Sequence, residues 1–150
     1  MLENLGLRVL GGRPYRISVE EGISTWVYDF SVRYFGAQVV EIEKVKQKFQ
    51  EAFVSIWKGW AENDSFNKLV LSVSLNWREV SMLRAYAKYF KQTGFAFSQA
   101  YIKEALINQA HVTRLLVDFF IARFSPAQSV TQQREDELKH QILEWLDQVE

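Results

Sequence analysis

The stretch NDSFNKLVLSVSLNWREVSMLRAYAKYFKQTGFAFSQAYIKEAL, residues 63–106, decides the fold. It is rich in aromatic residues, carries repeated helix-start signals, and holds almost nothing that performs chemistry. Asn76 stands directly ahead of Trp77, Arg78 and Glu79. An asparagine in that place accepts from the first free N–H groups of a helix, while the glutamate reaches back to the asparagine's own N–H. Val80, Leu83, Ala87 and Phe90 follow at helical intervals and mark one face. Gly94 falls where a left-handed residue closes a helix, and Ser98 opens the next. The spacing predicts helices over 77–93 and 98–108.

Working outward, the helical period already begins at Glu41. Ile42, Val45, Phe49, Ala52, Phe53, Ile56 and Trp60 form an apolar stripe, with Glu43, Lys44, Lys46, Lys48 and Glu51 on the remaining surface. This helix is expected to stop near Asn63 and Asp64, where Asp64 or Ser65 caps a short one over 66–73. Downstream, HVTRLLVDFFIARF at 111–124 predicts another, ended by Ser125 and Pro126. A last helix over 131–149 is amphipathic through Leu138, Ile142, Trp145, Leu146 and Val149. Glu135 and Lys139 stand on it in the favourable acid-before-base order.

The first third has a different period. Residues 25–34, TWVYDFSVRY, alternate: Trp26, Tyr28, Phe30, Val32 and Tyr34 face one way, and Thr25, Val27, Asp29, Ser31 and Arg33 the other. Ahead of them, 7–10 and 15–19 flank Gly11, Gly12, Arg13 and Pro14, which reads as one long kinked strand or as two short ones. Glu20, Glu21 and Gly22 supply a turn, so the pairing is expected to be antiparallel. The fold class is therefore α+β, mostly α: an N-terminal antiparallel β-hairpin followed by about five helices.

Composition narrows the function classes. The chain has 150 residues, 48% hydrophobic and 15% aromatic, with two prolines, enough for a substantial core. Eighteen basic and eighteen acidic residues balance, which provides no general attraction to nucleic acid or to an anionic membrane. Cysteine is absent, so neither a disulfide framework nor a cysteine-ligated metal is available. Met1, Leu2, Glu3 and Asn4 do not begin a signal peptide, and no apolar run approaches the roughly 18 residues of a membrane span. The expectation is a soluble, cytoplasmic domain with no nucleic-acid or membrane partner.

Candidate chemistry is sparse. His111 and His140 are the two histidines and lie on different helices, without the three or four convergent ligands a metal needs. His111 is expected near a helix N-terminus. Asp29, Glu20 and Glu21 are the carboxylates closest to the hairpin, and nothing in the pattern makes two of them converge on a pocket. Gly11 and Gly12 match neither a dinucleotide fingerprint nor a phosphate-binding loop, and fit a turn or bulge. Trp57, Trp60, Trp77, Tyr86, Tyr89, Phe90, Phe95 and Phe97 lack a basic groove between them and read as core or interdomain surface, not as a base-stacking platform. No residue is nominated as catalytic, cofactor-binding or metal-ligating.

MLENLGLRVLGGRPYRI at 1–17, NDSFNKLVL at 63–71 and LNWREVSMLRAYAKYFKQTGFAFSQAYI at 75–102 resemble the large bacterial NAD-specific glutamate dehydrogenases. The similarity runs through nearly the whole chain and is weakest from about Gln128. It implies a segment ahead of the catalytic region: a partial ACT-like β-β-α unit over 1–62 and a helical domain over 63–150. The strand and helix that would complete a βαββαβ order would precede it. The resemblance implies a non-catalytic regulatory or assembly role, with no cofactor here and NAD in the parent. The implied partners are the rest of that enzyme and its other subunits. ACT-like domains bind amino acids at strand-to-helix loops, which here points to Gly6, Gly11, Gly12 and Arg13 as a candidate effector loop. An exposed sheet edge would also favour a homodimer through the hairpin. Two alternatives stand beside this reading: a free-standing amino-acid sensor, and a helical adaptor docking partner helices on its 41–60 face.

Overall fold

Alternation with period two builds a ribbon, and the switch to helical period at residue 41 builds everything that packs. The computed structural model describes residues 1–20, 23–34, 36, 40–126 and 132–148. Strands β1 (Leu7–Glu20) and β2 (Ile23–Tyr34) pair antiparallel, with Arg16 opposite Trp26, Pro14 opposite Tyr28 and Gly12 opposite Phe30. Of the two readings left open for 7–19, the single strand is found. The register shifts at Leu10 and again at Val19, where β1 carries an extra residue. Glu21 and Gly22 of the expected turn lie outside the described residues.

Among the described residues six helices follow: α1 (Ile42–Trp57), α2 (Leu69–Ser72), α3 (Trp77–Gln92), α4 (Gln99–Asn108), α5 (Ala110–Phe124) and α6 (Gln132–Leu146). The architecture is α+β and mostly α. A 3-10 turn, Ser65–Lys68, leads into the single turn of α2, and the Asp64 carboxylate accepts from the Phe66 N–H at 2.9 Å to start it. The capping box of α3 is present in both directions: Asn76 Oδ1 accepts from Arg78 and Glu79, and the Asn76 N–H donates to Glu79 Oε2 at 2.8 Å. Gly94 closes α3 at φ +80°, a conformation an L side chain rarely adopts. Ser98 Oγ accepts from the Tyr101 N–H at 3.1 Å and opens α4. Ser125 and Pro126 follow α5, and of the last expected helix Thr131 and Val149 lie outside the described residues.

The core centres on α2 and the turns around it. Leu69, Val70 and Leu75 are buried with Leu5 from the N-terminal turn, Val80 and Ala87 from α3, Ala52 and Ile56 from α1, and Val117 from α5. A four-residue helix has no stability of its own, so α2 persists because its apolar side chains are enclosed. Leu138 and Ile142 of α6 pack on Leu115 of α5 in a second cluster. The expected α1 stripe holds at Val45, Ala52 and Ile56, but Ile42 and Trp60 are exposed. The helix ends at Trp57, so Trp60 no longer lies on its face, and Ile42 stands in the first turn, ahead of the packed part. Phe90 near the end of α3 is exposed for a matching reason: it lies past the packed turns that hold Val80, Leu83 and Ala87.

Two arginines stitch the body together. Arg84 is 3% exposed and donates to both Asp64 oxygens, at 2.7 and 3.0 Å, and to Asn67 Oδ1 at 2.8 Å. Arg114 of α5 reaches Glu79 at 3.1 Å and Asp118 at 2.7 Å. Burial works against the Arg114 charge, but hydrogen bonds and attraction from those two carboxylates outweigh it and raise its pKa. Glu79 therefore serves the α3 cap and the α3–α5 junction with one side chain.

Candidate interaction surfaces and junction cavity

The ribbon is a surface on both sides. Among the described residues, every one over 8–18 and 24–33 is exposed, including Tyr15, Ile17, Trp26, Val27, Tyr28 and Phe30. Its two faces differ in chemistry. One carries the β2 row Trp26, Tyr28, Phe30 and Val32, backed on β1 by Arg16, Pro14 and Gly12. Tyr28 and Phe30 stack at 6.1 Å between ring centroids. Gly12 makes room for this: a Cβ there would come 3.1 Å from two Phe30 ring carbons, so the bare backbone lets the ring lie across the ribbon. Arg16 lies along the same face, donating from Nε and Nη2 to Ser24 Oγ at 3.0 and 2.8 Å. The other face sets Arg13 opposite Asp29 and Tyr15 opposite Val27, mixing charge with apolar side chains.

At the base of the ribbon a cavity of about 620 Å³ opens between the hairpin and the helices. Gly6, Leu7, Arg8 and Tyr34 line one wall, and Lys68, Ser72, Glu104 and Asn108 the other, with Glu3 at the N-terminal turn. It therefore presents ammonium and carboxylate groups together. Burial raises the Tyr34 pKa above the ordinary tyrosine value. The Tyr34 hydroxyl lies over Gly36, where a Cβ would sit 1.9 Å away.

The candidate effector residues do not gather in one place. Gly6 lines the cavity. Gly11, Gly12 and Arg13 stand along the exposed ribbon, paired with Ser31, Phe30 and Asp29. The side chain of Glu20 and all of Glu21 lie outside the described residues, so of the hairpin carboxylates only Asp29 is placed. His111 lies in the first turn of α5 with its ring 4.5 Å from Trp145, and the His140 Nε2 is 3.1 Å from Glu144. Among the described residues no group of three or more His, Cys, Asp and Glu is arranged to hold a metal ion.

The aromatic set divides. Trp77 is partly buried against the core, whereas Trp57 is 77% exposed and stacks on Phe53 at 6.4 Å. Phe90, Phe95, Phe97 and Tyr101 form a chain of ring contacts around the α3–α4 turn, at 5.2, 5.3 and 4.8 Å, and all are exposed. Sequence reasoning missed Lys68, Glu104 and Tyr34 as cavity residues, because they come from segments brought together only by folding. It also missed Arg84, whose signal was available: it follows Leu83 and precedes Ala87 on the apolar face of α3, a charge where the pattern calls for a hydrocarbon.

The described residues form an exposed hairpin joined to a helical body. Comparison with known families gives that form a class: residues 1–45 match the ACT3 domain of glutamate dehydrogenase, and residues 61–126 its helical motif 3. The chain matches, over its whole length, a segment of the large NAD-specific glutamate dehydrogenases. It is 43% identical over 149 residues to the NAD-specific glutamate dehydrogenase of Halomonas elongata. It is 43% identical over 154 aligned positions to that of Pseudomonas aeruginosa, and 39% identical over 134 residues to that of Mycobacterium tuberculosis. These alignments cover 99%, 100% and 86% of this chain but 9%, 10% and 8% of the relatives. The chain thus spans about a tenth of the length of the curated relatives it matches. No helix among its described residues is long and apolar enough to cross a membrane.

Proposed function

We propose that this chain acts as a non-catalytic regulatory or assembly segment of a cytoplasmic, NAD-dependent glutamate dehydrogenase. The parent reaction converts L-glutamate, NAD and water to 2-oxoglutarate, ammonia and NADH, and both the cofactor and the reacting groups belong to other parts of that enzyme. Its partners are the remainder of the enzyme and its other subunits, and at the hairpin a second copy of the chain. The observation that carries this reading is the two-sided exposed ribbon on a body whose buried polar groups are spent on structure. Arg84 and Arg114, which a catalytic reading would want free, are committed to Asp64 and Glu79. The division at 62/63 is a division of modules and not of packing, since Ala52 and Ile56 share one core with Leu69 and Val80. The test is direct: the purified chain, supplied with L-glutamate and NAD, forms no NADH. Turnover that copurifies with the chain through successive columns would refute the assignment.

A second reading is supported by the junction cavity. Its ammonium and carboxylate groups suit a zwitterion such as an amino acid, with Gly6 at the wall and Gly11, Gly12 and Arg13 outside it on the ribbon. A thermal upshift with one amino acid, lost in Lys68→Ala, supports effector binding; no shift with any of the common amino acids removes it.

A further inference from the structure

Helices α5 and α6 meet along a seam of their own. Leu115, Phe119 and Ala122 of α5 pack with Leu138 and Ile142 of α6 in a cluster separate from the main core. The helices run antiparallel, and a polar contact stands at each end of the seam. Arg123 Nη1 approaches Glu135 Oε2 at 3.9 Å, where α5 ends and α6 begins. At the other end the His111 ring lies 4.5 Å from the Trp145 ring, centroid to centroid, tilted by 49°. Both side chains are exposed, so a proton reaches His111 without the helices parting. An imidazole ordinarily changes charge between about pH 8 and pH 5. Once charged, this one stands within the roughly 6 Å at which an indole face attracts a cation.

We propose that this contact is a pH-sensitive clasp: protonation of His111 tightens α6 on α5 through the Trp145 ring and the carboxyl end of α6. The sign follows from what changes when α6 leaves. His111 stands in the first turn of α5, whose N–H groups oppose a positive charge whether α6 is docked or not. Glu41 and Lys44 share a cavity of about 400 Å³ with His111 and pair with each other at 2.8 Å. Arg114, one turn along α5, is committed to Glu79 and Asp118. None of these groups belongs to α6, so they act alike in both states. What α6 itself brings is the Trp145 ring, the negative end of its helix dipole, and the Glu144 and Asp147 carboxylates, all of which attract an imidazolium. Lys139 and His140 also ride on α6, more than a turn before Trp145, and the His140 Nε2 is 3.1 Å from Glu144. A charge stabilised in the docked state and not in the undocked one favours docking. The clasp therefore tightens as pH falls and slackens as it rises. The match to helical motif 3 ends at residue 126, so α6 is an addition to that motif rather than part of it.

The experiment is amide hydrogen exchange of the chain at about pH 5.5 and about pH 8, on either side of the histidine range, with each rate divided by the intrinsic rate at that pH. It is run in a His140→Gln background, where His111 is the one histidine left. The clasp predicts that the Leu138 and Ile142 amides gain about two- to five-fold in protection at the lower pH, the size of an exposed cation–π contact. The Val80 and Leu83 amides of the main core should not follow. Adding His111→Gln or Trp145→Leu should abolish the gain. If Trp145→Leu frees α6 at both pH values, His111→Gln decides, because it leaves the apolar side chains of the seam in place. Equal protection at the two pH values, an equal gain with His111→Gln, or a gain shared by the core amides would each overturn the clasp. None of these outcomes touches the assignment to a dehydrogenase segment, which stands or falls on the turnover assay.

Discussion

The ribbon and the helical body are made from similar proportions of apolar residues and use them in opposite ways. In the body, Leu69, Leu75, Val80 and Val117 are withdrawn from water almost entirely. On the ribbon, Trp26, Tyr28 and Phe30 keep about half of their surface exposed. Helices can enclose a side chain from several directions, whereas two strands offer only a neighbour on one edge and nothing above or below. The body is therefore stabilised by its own sequence, and the ribbon by register, cross-strand pairs and whatever covers it. A segment organised this way has a half that buries its apolar side chains and a half that leaves them exposed.

The largest effect expected is a direct contrast of the halves. Leu69→Ala removes a fully buried side chain from the centre of the core and should cost about 2–5 kcal/mol in a urea titration. Phe30→Ala on the ribbon should change the body's unfolding free energy by no more than about 0.5 kcal/mol. Equal costs for the two would mean the ribbon folds as part of the core, and the comparison would fail.

Arg84→Met tests whether the body's polar interior is as self-contained as its apolar one. The methionine fills much of the same space but takes the guanidinium donors from Asp64, which keeps the Phe66 N–H, and from Asn67 Oδ1. The Asp64 side chain retains about a third of its exposure, so water relieves part of the loss, and a cost of about 1–3 kcal/mol is expected. Arg84→Lys should recover little of it, because an ammonium cannot span both carboxylate oxygens and the Asn67 oxygen with one planar fork. A neutral Arg84→Met would show that the network contributes no net stability.

Next in size is the cap. Asn76→Ala takes acceptors from the Arg78 and Glu79 N–H groups and should cost about 1 kcal/mol, read from the same denaturation curve. A second consequence is testable: Glu79 also pairs with Arg114, so losing Asn76 should loosen the α3–α5 junction, seen as faster amide exchange in the first turn of α3 and around Arg114. Unchanged exchange near Arg114 would show that the cap and the ion pair act independently.

What was legible in the sequence follows the same contrast. Helix boundaries were readable because their causes are local: Asn76 with Glu79, Asp64 with Phe66, and Ser98 with Tyr101 all lie within three residues of each other. Strand alternation was readable for the same reason, and the family from long phrases in order. The cavity was not, because Tyr34, Lys68 and Glu104 meet only after the hairpin base folds onto α2 and α4. Arg84 was half legible: its place on an apolar stripe announced a buried charge, but its partner Asp64 lies twenty residues earlier, beyond any local pattern.

The smallest effect tests the seam between the halves. Tyr34 ends β2 and lines the cavity, and burial raises its pKa above the ordinary value near 10. The phenolate is disfavoured in the folded chain, so the unfolded chain gives up this proton at lower pH. Whatever stability follows from that difference is intact below the unfolded-state pKa and is lost as pH rises through the folded-state value. Wild type should therefore lose melting temperature slightly faster than Tyr34→Phe on the alkaline side of about pH 10, with matching curves at neutral pH. The phenolate absorbance of wild type minus variant should titrate on the high side of the ordinary tyrosine range. If the two proteins lose stability in parallel, Tyr34 is as wet as the rest of the ribbon, and the boundary between the self-supporting half and the exposed half lies at the helices rather than at the hairpin base.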